Sequence, residues 1–398
     1  MTLKPRTKLV LKNIDWVFLL IVGVLLTFNL IVLKSASENV MESDPLFHFK
    51  KQLMWVVVSF VAMICVAFFD YKHFKKLSWF IYGGCVLLLV AVLFMPEIED
   101  THRWISLGFM NLQPSEVAKI GVIVSLACFL ISRQEKIRSF STLLLSFLYM
   151  VVPILLILVA PDLGTSLVFI AILIAMLWIA GISKRALFII LLVIVLVIAL
   201  IFGMLYVATD GFSHKITDAD IPDYIPLRAY QINRLIIFMN PYMDPLNAGY
   251  HMIQSEVAIG SGGLTGKGYG QGTQVQGNFL PAHHTDFIFS VVGEELGFVG
   301  ATTLLGLYLC LLLRAIWIAF KAKDLLGTLI VTGVVSMLAF HILVNVGMTI
   351  GIMPITGLPL PFLSYGGSSM LFNMIALGLV LNVNMHREEV PFFGGEQV

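Results

Sequence analysis

An all-α polytopic membrane protein with ten crossings is the fold class this sequence predicts. Three observations predict it. Of 398 residues, 59% are hydrophobic and 12% charged, with mean hydropathy +0.94, whereas soluble domains carry about a quarter charged residues. Apolar runs near the ~20 residues that a spanning helix needs recur along the chain. Lys and Arg gather in alternate loops, the bias that orients membrane proteins.

The runs lie at about 14–33, 52–70, 78–95, 114–132, 142–160, 165–181, 187–208, 283–313, 326–350 and 368–385. The first follows a basic segment, Met1 to Lys12, but is long enough to span and lacks a small-residue cleavage site, so it does not read as a cleavable signal. The fourth opens at Pro114, a favourable first helical position. The fifth ends at Pro161-Asp162-Leu163-Gly164-Thr165, where the sixth begins. The eighth opens near His283. A Pro-broken apolar stretch, 354–369, joins the last two. The chain reads as one membrane domain, 1–398, without an internal repeat.

Ten crossings place both termini on one side. On that side fall Lys4, Arg6, Lys8, Lys12, Lys72, Lys75, Lys76, Arg133, Lys136, Arg138, Lys184, Arg185, Arg314, Lys321, Lys323 and Arg387, which is 16 of the 25 Lys and Arg residues. The termini are therefore expected in the cytoplasm. The segment 209–282 is then a long extracytoplasmic loop, and loops of that length are usually functional or disordered. Its aromatic and aliphatic content predicts partial order, with an amphipathic interfacial helix over 227–239.

Composition excludes several classes. A net charge of +1 gives no case for nucleic acid. The four cysteines, Cys65, Cys85, Cys128 and Cys310, are irregularly spaced inside apolar runs, which fits neither a disulfide framework nor a zinc site. No inverted pair of broken helices points to a secondary transporter.

Orientation gathers the ionisable residues. Arg103, Glu116, Lys119, Asp162, Asp286 and Glu294 all fall in the outer third of the membrane, Lys119 about 7 Å below the rim and Glu294 roughly 12 Å along the helix from Asp286. A charge inside a span costs about 2.5 kcal/mol or more on insertion scales, so such residues are usually functional. A proton relay would instead scatter them through the full depth. Bland readings stand beside the functional ones. Glu116 and Lys119 are spaced i, i+3 and can form a structural ion pair. Asp162 suits a helix N-cap. Thr285 can cap the eighth span, which leaves Asp286 with no structural task. Glu295 reads as structural. The stretch Gly260 to Gly270, with Lys267, reads either as an anion-binding nest or as a mobile loop closing over a site. The stretch around Ser364 must be buried in protein or line a cavity, and its apolar residues with small polar ones suit a lipid chain with a polar head.

Asn345 through Gly351, Pro354, Gly357 and Phe362-Leu363-Ser364-Tyr365-Gly366-Gly367-Ser368-Ser369 resemble the signature of the SEDS family (shape, elongation, division and sporulation). Arg103-Trp104-Ile105, Gln113-Pro114-Ser115-Glu116, Pro161 to Thr165, Gly260 to Leu264 and His284-Thr285-Asp286-Phe287-Ile288-Phe289 match further blocks in order. Gly272-Thr273-Gln274 resembles the elongation branch more than the division branch. One departure is Ala282, where the family often has an acid. The resemblance implies a peptidoglycan glycosyltransferase of the bacterial cytoplasmic membrane. It would polymerise lipid II, a disaccharide-pentapeptide on undecaprenyl diphosphate, on the outer face during elongation. It implies Asp286 as the catalytic carboxylate and functional sensitivity at Trp104, Glu116 and Lys119. The implied partners are a class B penicillin-binding protein and other membrane proteins of the elongation complex.

The residues fit that chemistry. Asp286 would take the proton of the acceptor 4-hydroxyl. Arg103, Lys119, Arg234 or Lys267 would hold the diphosphate, with Ser364 near the head of the lipid. A divalent cation (Mg2+ or Mn2+) on the diphosphate, held in part by Asp162 or Glu294, is left open. The competing readings are a lipid II flippase, which predicts polar groups in the inner half as well, and a non-enzymatic scaffold, which leaves the outer carboxylates unexplained.

Overall fold

A computed structural model describes residues 12–37, 46–97, 101–108, 110–217, 221 and 229–387. Ten of its helices are long and apolar enough to cross a membrane. They are α1 (Trp16–Ser37), α2 (Phe47–Phe68), α3 (Phe74–Val92, entered by a 3₁₀ turn Tyr71–His73), α4 (Pro114–Ser132), α5 (Phe140–Val159), α6 (Leu163–Ala180) and α7 (Lys184–Ala208), then α11 (Ile288–Phe320), α12 (Leu325–Thr349) and α13 (Gly367–Met385). Between α7 and α11 lie α8 (Ala229–Met239), α9 (Ala248–Gly262) and the single turn α10 (Thr273–Gln276). A hairpin, β1 (Ile105–Ser106) with β2 (Asn111–Leu112), precedes α4. Lys4, Arg6 and Lys8 of the basic N-terminal segment, and residues 227–228 of the expected interfacial helix, lie outside the described residues.

Local chemistry explains most of the boundaries. Pro114 occupies the first turn of α4, where its missing N–H costs nothing. Ser139, Asp162, Ser183 and Asp324 each accept a backbone N–H at the start of α5, α6, α7 and α12, satisfying donors that a helix start leaves unpaired. The core runs through α4, α12 and α13, the most buried spans. Helix α2 packs along α13, α3 along α4, α6 along α12 and α9 along α11.

Two polar ties fix the vertical frame. At one end of α1, Arg314 Nε donates to both oxygens of Asp15, at 3.1 and 2.9 Å. At the other, Ser35 Oγ donates to Glu295 at 2.6 Å. From Phe298 to Arg314 the helix rises about 24 Å, most of the ~30 Å thickness of the hydrocarbon core, and Glu295 lies just beyond Phe298. Glu295 therefore stands at the outer rim. At the inner rim, Arg314, Lys321 and Arg387 surround the Trp317 ring at 4.1, 3.8 and 5.7 Å from its centroid.

The eighth span departs from its expectation. Its helix begins at Ile288 rather than near His283, and it is broken at Gly297, where φ is +64°. The glycine stretch fills the break. Lys267 N and Gly268 N donate to the carbonyls of Glu294 and Glu295, and Phe298 N and Val299 N donate to those of Gly263 and Leu264. Lys267 N and Gly268 N are thus spent on α11 and Gly266 N on Gly262, so these three are not offered to an anion, and the stretch is docked on α11. The spanning part of α11 starts after the break, since 298–320 alone exceeds the ~20 residues required.

Candidate active site

The outer mouth of the bundle is organised by the irregular stretch between α12 and α13. Leu358, Leu360, Phe362 and Leu363 are buried, so this backbone is enclosed by protein, as its depth demands. Neighbouring spans satisfy its polar groups. Asn29 of α1 donates to the Leu363 carbonyl. Gln52 of α2 donates to the Ser364 carbonyl at 3.4 Å and accepts from Gly366 N at 3.3 Å.

That stretch holds the turn bearing Asp286. Ser364 Oγ accepts from Leu360 N at 2.8 Å and donates to the Thr285 carbonyl at 2.7 Å. Tyr365 N donates to the His284 carbonyl at 3.0 Å. Asn345 Nδ2 donates both to the Asp286 carbonyl and to that of Leu358, each at 2.8 Å. Asp286 thus lies on an ordered turn in front of α11, not within the helix. Thr285 does not cap the helix; its hydroxyl donates to the Ala282 carbonyl at 3.2 Å, and Phe287 holds the cap position without a side-chain bond.

The half-buried Asp286 side chain lies in the field of a cation, Arg234. A Cβ placed on Gly357 would lie 3.6 Å from Asp286 Oδ2 and 3.8 Å from Arg234 Nη1. The two charged ends border one point in space. Arg234 comes from α8, over the Tyr230 ring at 5.6 Å. Burial lowers its pKa first, with Arg103 adding to the fall, while Tyr230, Asp286 and Asp162 oppose it; an arginine stays cationic through such changes. Arg103 donates to the carbonyls of Ala160 and Pro161 and, at 2.8 Å, to the Tyr230 hydroxyl. Trp104 follows it, half-buried, at the foot of the hairpin.

The other sequence candidates are committed elsewhere. Asp162 is the N-cap of α6, accepting from Thr165 N at 3.0 Å, Thr165 Oγ1 at 2.8 Å and Gln113 Nε2 at 3.3 Å. Lys119 is fully buried. Its Nζ lies 2.9 Å from Glu116 Oε1 and 2.9 Å from His341 Nε2. An ammonium only donates, so His341 accepts there and presents Nδ1 to the Pro359 carbonyl at 3.4 Å. Glu294 is engaged by the glycine stretch and the turn after it. Its Oε1 pairs with Lys267 Nζ at 2.7 Å, and its carboxylate accepts from Thr273 Oγ1 and from the N–H groups of Gln274 and Val275, capping α10.

These ties bear on the divalent cation. Asp162 and Glu294, offered for it by the sequence, have their oxygens bonded to protein, and among the described residues no group of three His, Cys, Asp or Glu side chains comes together. The donor set does not fit a protein-held ion.

Sequence reasoning missed Tyr230 and His341. A signal for His341 existed: His341, Asn345 and Thr349 are spaced by four on an otherwise apolar span, which puts them on one helix face. All three are fully buried. An open apolar groove of about 630 Å³ runs between α3, α4 and α13, lined by Phe80, Leu87, Leu88, Val117, Ile120 and Phe372 among others.

Comparison with known proteins places this arrangement. A family described as cell cycle protein (FtsW, RodA, SpoVE) matches residues 15–389. The chain is 36% identical to the peptidoglycan glycosyltransferase RodA of Treponema pallidum over 94% of this chain and 98% of that protein. It is 35% identical to the peptidoglycan glycosyltransferase MrdB of Escherichia coli, over 94% and 95%, and 37% identical to the stage V sporulation protein E of Bacillus subtilis, over 94% and 97%. Among solved structures it resembles a chain of a peptidoglycan synthase complex that coordinates polymerization and crosslinking (TM-score 0.76, 31% identity, 93% and 97% coverage). It also resembles the rod shape determining protein RodA of Thermus thermophilus (TM-score 0.65, 28% identity, 94% and 97% coverage).

Proposed function

The chain belongs to the FtsW, RodA and SpoVE family of cell cycle proteins, and from that premise we propose that it is a peptidoglycan glycosyltransferase of the bacterial cytoplasmic membrane, acting in cell elongation. Its substrate is lipid II, and it joins the disaccharides through β-1,4 bonds on the outer face. The observation that carries the reading is that the Asp286 carboxylate and the Arg234 guanidinium border the same point beside Gly357, with Asp286 on a turn held by three separate hydrogen-bonding partners.

The chemistry follows from those groups. Asp286 takes the proton of the acceptor 4-hydroxyl, whose oxygen attacks the anomeric carbon of the donor. The bond from that carbon to the diphosphate oxygen breaks, and the electron pair leaves with the lipid diphosphate. Attack opposite the leaving group inverts an α-linked donor to a β-linkage. Arg234 and Arg103 offset charge on the departing diphosphate, the service a preorganised cation performs in a dry site. The apolar groove between α3, α4 and α13 suits the prenyl chain. Lys119 acts through His341 and Pro359, which belongs to the stretch that holds the Asp286 turn, and Lys267 acts through Glu294. The partner is a class B penicillin-binding protein, a reading supported by the likeness to a synthase that couples polymerization with crosslinking.

The test is glycan polymerisation from lipid II by purified protein with its transpeptidase partner. Asp286→Asn keeps the shape and removes the base, so turnover falls by about 10²–10⁴-fold while partner binding persists. Normal turnover in a folded, partner-bound variant ends the proposal.

A further inference from the structure

His283 precedes Asp286 by three residues on the same turn and is 5% exposed. Its Nδ1 lies 2.6 Å from the Leu280 carbonyl oxygen and its Nε2 2.8 Å from the Ala36 carbonyl oxygen. Carbonyl oxygens only accept. A neutral imidazole carries one N–H, so either tautomer sets one bare ring nitrogen lone pair against a buried carbonyl oxygen. The imidazolium, with two N–H groups, satisfies both.

We propose that His283 is a cationic clamp: its doubly protonated ring bolts the turn bearing Asp286 to the outer end of α1. The turn has two anchorages. Its later residues, His284 to Asp286, are bonded to Tyr365, Ser364 and Asn345. Its earlier part reaches α1 through His283. The ring sets where the Asp286 carboxylate stands relative to the bundle, so His283 is a positioning residue that touches no reacting atom. The activity consequence rests on Asp286 being the base; the charge state does not.

The surrounding groups are compatible with a cation. On α11, Glu295 accepts from Ser35, the residue before Ala36, and Asp286 lies further along the turn; both are acids. Lys34 stands near the end of α1, and Lys50 and Lys51 lie near the start of α2. The His284 ring is 5.5 Å away and the His48 ring 5.0 Å beyond it. Burial lowers the His284 pKa to about 4, with His283 and His48 adding to the fall. The adjacent histidines thus divide the work, one charged and one neutral, and no second cation is forced into the cluster at neutral pH.

Nitrogen-15 NMR of histidine-labelled protein reads the charge directly, with His283 assigned by its loss in His283→Arg and His283→Phe. Expected at pH 7 are two protonated ring nitrogens, one of which loses its proton as the pH is raised. A neutral His283 ring at pH 7 overturns the clamp whether or not the protein polymerises anything. Turnover against pH reads the consequence. Below the His283 transition both bonds stand; above it one is lost, and kcat falls about tenfold with KM for lipid II unchanged. His283→Arg keeps a cation with several donors at every pH and holds turnover level across that window, whereas His283→Phe is slow throughout. Identical alkaline limbs for wild type and His283→Arg overturn the clamp and leave the role of Asp286 standing. A wild type that makes no polymer sinks the glycosyltransferase reading, and the NMR result then decides the clamp alone.

Discussion

Lys119 shows how a residue can matter to chemistry without touching substrate. Its ammonium is enclosed with Glu116 and His341, and that chain of contacts ends on Pro359, within the stretch that secures the Asp286 turn. Removing one partner of a buried pair leaves an uncompensated charge, which typically costs about 3–5 kcal/mol. Lys119→Ala is therefore expected to lower the unfolding temperature in detergent markedly and to slow turnover with it. The double change Glu116→Ala with Lys119→Ala should cost less than the two single changes added, by about 0.5–3 kcal/mol of coupling. Normal stability with abolished turnover would put Lys119 on the substrate instead. The sequence exposed these residues because charges in an apolar chain are conspicuous, and it aligned them at one depth. It did not reveal who pairs with whom. Lys119 and His341 are 222 residues apart and Lys267 and Glu294 are 27 apart, so which of the outer charges neutralise each other is a property of the packed bundle. Packing leaves Asp286, Arg234 and Arg103 gathered at the mouth.

At the scale of elements, spans and caps were legible and the region between α7 and α11 was only partly so. Continuous apolar runs, Pro114 and the N-cap residues locate helices without tertiary help. Helix α9 carries glycines near both ends and at Gly260, which lower helix propensity by about 1 kcal/mol each relative to Ala; it forms because it packs along α11. The break at Gly297 was hidden for the same reason, since a glycine inside an apolar run does not announce a positive φ. The interlock has little slack. A Cβ on Gly297 would come within 2.2 Å of Gly266 N, and one on Gly266 within 2.1 Å of the Glu295 carbonyl oxygen, with φ of +64° and +78° at the two positions. Gly297→Ala and Gly266→Ala should each cost at least the roughly 1–3 kcal/mol of a strained backbone, with the clash in addition. Gly306, further along α11, has nothing within 4 Å of its Cβ position, so Gly306→Ala should be neutral or stabilising by about 0.5–1 kcal/mol. Heat denaturation of the three variants in one detergent compares them. Equal stability of Gly297→Ala and Gly306→Ala would show that the glycine stretch does not dock as described.

The whole molecule is arranged by polarity, with the polar-studded spans inside and the most apolar span outside. Helix α7 has the highest mean hydropathy of the ten, 3.5, and its most apolar window is 6% buried; α13, at 1.4, is 78% buried, and α4, at 1.8, is 72% buried. Lipid is as apolar as leucine, so helices associate through small and polar side chains rather than through hydrophobicity. Helix α13 brings Ser368, Asn373, Asn382 and Asn384 into the interior, all buried, whereas α7 presents an aliphatic surface on every side. The trend holds at its extremes; α2 (2.0, 33%), α11 (2.1, 28%) and α3 (1.5, 17%) depart from it, and in α3 the hydropathy is lowered by Lys75 and Lys76 at its inner end rather than by interior polar groups. The ordering predicts where side-chain volume counts. Leu377 of α13 is fully buried, and Leu377→Ala opens a cavity among packed helices, with an expected loss of about 2–5 kcal/mol. Leu196 of α7 is 58% exposed, and Leu196→Ala, which leaves the span amply apolar, should change stability by less than about 0.5 kcal/mol. Unfolding midpoints measured in bilayers or bicelles, where α7 keeps its lipid contacts, give the comparison. A loss at Leu196 as large as that at Leu377 would mean that α7 is covered by protein in the membrane, and that the surface it presents here belongs to an interface.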